Sequence, residues 1–137
     1  PFVSPASTMV TSNIRLRHAW GIVAWLGIVL LLYLSLTPEP PNTQLEHGDK
    51  LGHMLAYGVL TYFWAQVLTA RRQRLALALS FIVLGVILEY IQGWTGWRTF
   101  DYYDMLANSA GVVAGAIFAA LTPNVLALAS QSMKGSH

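Results

Sequence analysis

Four apolar runs, at about residues 18–36, 51–70, 75–92 and 105–122, keep polar residues near their ends and are each long enough to cross a membrane. A hydrocarbon core of ~30 Å is crossed by a helix of about 20 mainly apolar residues, because no water is present there to satisfy an open backbone. The runs therefore point to an all-α membrane protein, a compact bundle of four transmembrane helices over residues 18–122. Residues 1–17 and 123–137 read as an N-terminal and a C-terminal tail, with about 1–8 and 135–137 unstructured. Composition agrees, since 55% of the residues are hydrophobic and 10% charged, which is too apolar for an ordinary soluble domain. There is no cysteine, so a disulfide framework and a thiolate metal site are excluded. Small residues of the cleavage-site kind do not follow the first run, which is expected to stay in place as a helix.

Charge sets the expected orientation. Arg15 and Arg17 precede the first run, Arg71, Arg72 and Arg74 separate the second from the third, and Lys134 lies near the end. Basic residues favour the cytoplasmic side, so both termini are expected there, with Lys50 and Arg98 as the two cations on the outer side. The acids Glu39, Glu46, Asp49, Glu89, Asp101 and Asp104 then all fall on the outer side. Prolines at 38, 40 and 41 stop the first helix and start an outer loop. A second outer loop, 93–103, carries Trp94, Trp97, Phe100, Tyr102 and Tyr103, rings suited to a membrane interface.

Helical spacing gathers the polar residues at that outer end. Asp49, His53 and Tyr57 are four apart on the second helix, Glu89 and Gln92 three apart on the third, and Asp104, Asn108, Gly111 and Gly115 form a stripe on the fourth. Ionisable groups inside membrane helices normally face the bundle interior, so a shared pocket is expected. Its binding candidates are Asp49, Lys50, His53, Tyr57, Glu89, Gln92, Arg98, Asp101, Asp104 and Asn108. Arg98 and Lys50 suit an anionic headgroup, against the plainer reading that they neutralise neighbouring acids. His53, Glu89 and Asp104 are the candidates for general acid–base work, with Asp49 one turn from His53 to orient its ring. The same three suit a divalent metal, zinc included, although no HExxH-type spacing supports one and no cofactor is established. The Gly111-x-x-x-Gly115 face fits close helix packing and offers a route to oligomers. Nothing in the chain suggests a nucleic-acid partner.

The set Asp49-Lys50-x-x-His53-x-x-x-Tyr57, Glu89-x-x-Gln92 and Arg98-x-x-Asp101-x-x-Asp104-x-x-x-Asn108-x-x-Gly111-x-x-x-Gly115, in this order over about residues 20–122, closely resembles the VanZ-like family. The resemblance implies a small multi-pass protein of the bacterial inner membrane, related to the accessory protein that gives low-level resistance to the glycopeptide antibiotic teicoplanin. It implies no settled biochemical activity. Three functions compete: a site for an envelope lipid, a lipid-linked cell-wall precursor or a lipophilic glycopeptide; an intramembrane hydrolase or transferase using His53 and carboxylates; and a structural scaffold.

Overall fold

The computed structural model describes residues 5–38 and 48–135, and all regular structure among them is helical. The helices are α1 (Pro5–Leu36), α2 (Gly48–Val67), α3 (Arg71–Thr95), α4 (Tyr102–Leu121) and α5 (Val125–Gly135). Three stretches are long and apolar enough to cross a membrane: Asn13–Leu36, Arg71–Thr95, and Tyr102–Ser132, which runs through the break between α4 and α5. α2 has 20 residues, about 30 Å at 1.5 Å per residue, but its Asp49, Lys50, His53, Thr61 and Gln66 dilute its apolar content. Of these, Thr61 and Gln66 are buried against its neighbours, while Asp49, Lys50 and His53 cluster at its start. Large apolar side chains such as Leu79, Val83, Leu106 and Ile117 point outward around the bundle, the exposure of a membrane protein.

The most extensive interface joins α2 to α4, and glycine makes it possible. A Cβ on Gly111 would overlap the Met54 carbonyl, one on Gly115 the Gly58 carbonyl, and one on Gly58 would stand 3.1 Å from the Gly111 oxygen. Two backbones therefore touch where side chains would hold them apart. Of the two uses expected for Gly111 and Gly115, close helix packing is the one seen, since both are buried against α2 of the same chain.

Cores and ends fix the other helices. Leu31, Tyr57, Leu60, Phe81 and Val112 form one buried cluster drawn from α1 to α4. At the arginine-rich end, Trp20 stacks on Phe63 with ring centroids 4.3 Å apart and donates its indole N–H to the Phe63 carbonyl. Arg17 donates to the Val67 carbonyl, and Arg74 to those of Leu68 and Ala65, so arginines satisfy carbonyls that the end of α2 leaves open. At the opposite end α1 leans on α3, where the Gln92 amide donates to the Ser35 carbonyl at 2.6 Å.

The termini and loops differ from expectation. α1 begins at Pro5, well inside the expected tail, because no breaker stands between Ala6 and Leu36 and proline is tolerated in a first helical turn. The region expected as a tail after residue 122 contains α5. Asn124 caps it, its Oδ1 accepting from the Ala127 N–H, and Gln66 clamps it, Oε1 accepting from the Val125 N–H at 2.8 Å. The aromatic loop is shorter than 93–103: α3 runs to Thr95 and ends at Gly96 in the left-handed region (φ 72°), and α4 starts at Tyr102. The proline loop with Glu39 and Glu46 lies outside the described residues.

Candidate functional site

Asp101 is the knot of the polar end. It caps α4, its Oδ1 accepting from the Tyr103 N–H at 2.8 Å, while its own N–H donates to Glu89 Oε1 of α3 at 2.9 Å. Its Oδ2 accepts from Lys50 Nζ of α2 at 3.0 Å. One residue thus joins three helices. The same ammonium lies 3.4 Å from Asp104 Oδ1 and 3.7 Å from Asp49 Oδ2. The hydrogen bond to Asp101 holds Lys50 above the ordinary lysine range, with the Asp104 and Asp49 charges adding to it, and Lys50 in turn holds Asp101 below the usual carboxylate range.

Deeper in, His53 Nδ1 donates to Asn108 Oδ1 at 3.0 Å, which leaves Nε2 as the second ring nitrogen. This corrects the expected orientation of His53 by Asp49: the two share a helix, but the ring turns toward α4, which the glycine contact brings close. Asn108 is buried, as are Asp104 and Glu89. Two buried carboxylate oxygens, Glu89 Oε2 and Asp104 Oδ1, have no hydrogen-bond partner among the described residues. Asp104 Oδ1 is at ion-pair distance from Lys50 without hydrogen-bond alignment.

Of the expected site residues, Asp49, Lys50, His53, Glu89, Arg98, Asp101, Asp104 and Asn108 meet at this end. Tyr57 sits in the hydrophobic core, and Gln92 turns away to α1. Arg98 makes no ion pair among the described residues. Trp94 and Trp97 are exposed, as interface rings would be. The described residues contain no group of three or more His, Asp or Glu arranged to hold a metal ion.

Two cavities open here and share Asp49 and Arg98 as lining residues. The smaller, about 310 Å³, is polar and includes Asp101 and Asp104. The larger, about 650 Å³, runs down between α1 and α2 and is walled by Leu30, Leu31 and Leu34 on one side and Leu55, Ala56 and Val59 on the other. This groove follows from the path of α1, which is tied to α2 near Trp20 but to α3 at Ser35. The sequence reading missed the α1 wall and Gly52. The traceable signal was the pair of small residues Gly52 and Ala56, one turn apart on α2.

Fold and site together define a small helical membrane protein that gathers buried carboxylates, a histidine and two cations at one end of its bundle. The chain belongs to the VanZ/LLP1 family, whose model matches residues 4–123. A Schizosaccharomyces pombe protein described as uncharacterized protein C11E3.10 is 34% identical over 90 residues, which is 61% of this chain and 54% of that protein. The chain thus spans about half the length of the curated relative it matches. No solved structure matches it.

Proposed function

We propose that this protein binds an envelope lipid or lipid-linked cell-wall precursor, with Arg98 as the contact for the anionic group. The observation that carries the reading is the junction of the two cavities at Arg98 and Asp49, an apolar groove ending in a polar cap. A guanidinium at such a junction, with no ion pair among the described residues, fits phosphate or carboxylate in bidentate fashion. Lys50 contributes less, because three carboxylates already engage it. In this reading α1 to α4 all cross a bacterial inner membrane, both termini are cytoplasmic, and the cap faces outward at headgroup depth. A lipophilic glycopeptide has the same two-part chemistry, which gives the family's link to teicoplanin resistance a physical route. Native mass spectrometry of the protein extracted from its membrane tests the reading. Adducts of phosphate-bearing lipids on the wild type should fall by about tenfold in Arg98→Ala, and an unchanged adduct profile speaks against it.

A second reading, an intramembrane hydrolase or transferase, draws on two groups at the same end of the bundle: His53 is oriented by Asn108, and Glu89 Oε2 is buried without a hydrogen-bond partner among the described residues. A positioned imidazole and a buried carboxylate suit acid–base work. Turnover of a lipid ester that His53→Gln abolishes would support it, and absence of turnover across lipid classes would remove it.

A further inference from the structure

We propose that the groove and cap hold a zwitterionic amphiphile: one hydrocarbon chain between α1 and α2, its phosphate at Arg98, and a primary amine among Asp49, Asp101 and Asp104. This rests on the reading of Arg98 as an anion contact and adds the second charge of the head group and the position of the tail.

The chemistry is ordered along the bundle as it is along such a molecule. The groove wall from Val23 to Ser35 is about 18 Å long at 1.5 Å per residue, well within a ~30 Å hydrocarbon core. Its lining is mostly aliphatic, with Ser35, Asp49, His53 and Arg98 as its polar members, and its volume of about 650 Å³ is in the usual range for a ligand site. Gly52 on its wall faces open space, since a Cβ added there meets nothing within 4 Å. A glycine in a helix interior is unfavourable, and no contact among the described residues explains this one.

Arg98 shares the polar cavity with acids. Asp49, Asp101 and Asp104 line the polar cavity and share the single ammonium of Lys50. Asp104 is 6% exposed, and among the described residues its Oδ1 is met by the Lys50 ammonium at 3.4 Å without an aligned hydrogen bond. A buried carboxylate oxygen gains from a well-aligned donor, and a ligand N–H entering this cavity would supply one. A purely anionic head extending past Arg98 would meet three carboxylates, whereas phosphate followed by a primary amine meets a cation and then acids. A quaternary amine brings the charge but no N–H.

The test titrates the full chain in detergent with phosphatidylethanolamine, its single-chain lyso form and phosphatidylglycerol, read by native mass spectrometry. Both amine lipids should bind the wild type about tenfold more tightly than phosphatidylglycerol, and Asp49→Asn should erase that preference. Gly52→Leu should weaken every lipid by about tenfold or more while thermal stability holds or rises, since the new side chain fills the groove and removes a helical glycine. Arg98→Ala should weaken all three lipids. Tighter binding of the lyso form assigns the site to single-chain amphiphiles, and equal binding leaves the second chain in the surrounding bilayer; both support the proposal. Equal affinity for phosphatidylglycerol, or an amine preference that survives in Asp49→Asn, overturns the zwitterion assignment while an Arg98→Ala loss keeps the anion contact. Undiminished binding by Gly52→Leu overturns the tail position. Undiminished binding by Arg98→Ala overturns both readings.

Discussion

Lys50 Nζ of α2 lies 3.0 Å from Asp101 Oδ2 at the start of α4, so the ammonium holds the residue that also caps α4 and bonds Glu89 of α3. Lys50→Met keeps the length of the stem and removes the charge that three carboxylates share. The variant should unfold at a lower temperature than the wild type at neutral pH.

The same pair sets a pH dependence. Asp101 titrates lower folded than unfolded, because it accepts from Lys50 and from the Tyr103 N–H. The folded state therefore binds fewer protons, and the stabilisation is present above the unfolded carboxylate value and lost as pH falls through the folded one. The difference in melting temperature between wild type and Lys50→Met should shrink as the pH is lowered from about 7 to about 3. A difference that stays constant over that range would show that Lys50 acts through packing alone.

The bond from His53 to Asn108 should appear as coupling in a double-mutant cycle. His53→Ala and Asn108→Ala are each expected to destabilise, and the double variant should cost less than their sum by about 0.5–1.5 kcal/mol, measured by denaturant unfolding in mixed micelles. Simple additivity would mean that the two side chains do not support each other.

Gly111→Ala places a methyl group against the Met54 carbonyl and should cost about 1–3 kcal/mol or more. Gly21→Ala, at a position where a Cβ meets nothing within 4 Å, should be neutral or stabilising by about 0.5–1 kcal/mol. Equal effects in the same unfolding assay would mean that α2 and α4 do not touch through their backbones.

Gln66→Leu should release α5 without unfolding the bundle, because Oε1 of Gln66 satisfies the Val125 N–H while its carbonyl accepts from the Asn124 amide. Amide hydrogen exchange over Val125–Gly135 should speed up in the variant, with exchange in α3 unchanged.

Much of this arrangement was legible in the chain itself. The apolar runs located the first four helices, and the spacing of Asp49, His53, Glu89, Asp104 and Asn108 brought them to one end, because helical period alone decides which residues share a face and a level. The partner of His53 was not legible: Asp49 and Asn108 are both within reach of a ring at that level, and the choice depends on how closely α4 approaches. The glycines that set this distance were visible as a stripe, but nothing in their spacing says whether the facing helix belongs to the same chain. α5 was missed although Pro123-Asn124 is a helix-start signal, because Pro123 reads as the end of the last apolar run and the short stretch after it as a tail. The groove depends on the divergence of α1 from α2, and that divergence comes from Gln92 reaching Ser35, a contact 57 residues apart that no local pattern encodes.

The position of the headgroup is the central claim, and a lipid bearing a photoreactive group on its head measures it most directly. After irradiation in the native membrane and peptide mapping, labels are expected on Gly48–His53 and on the loop around Arg98. The exposed arginines Arg71 and Arg72 at the other end of the bundle act as the internal comparison. Labelling confined to the Arg71–Arg74 end, or equal at both ends, would contradict a headgroup site at Arg98.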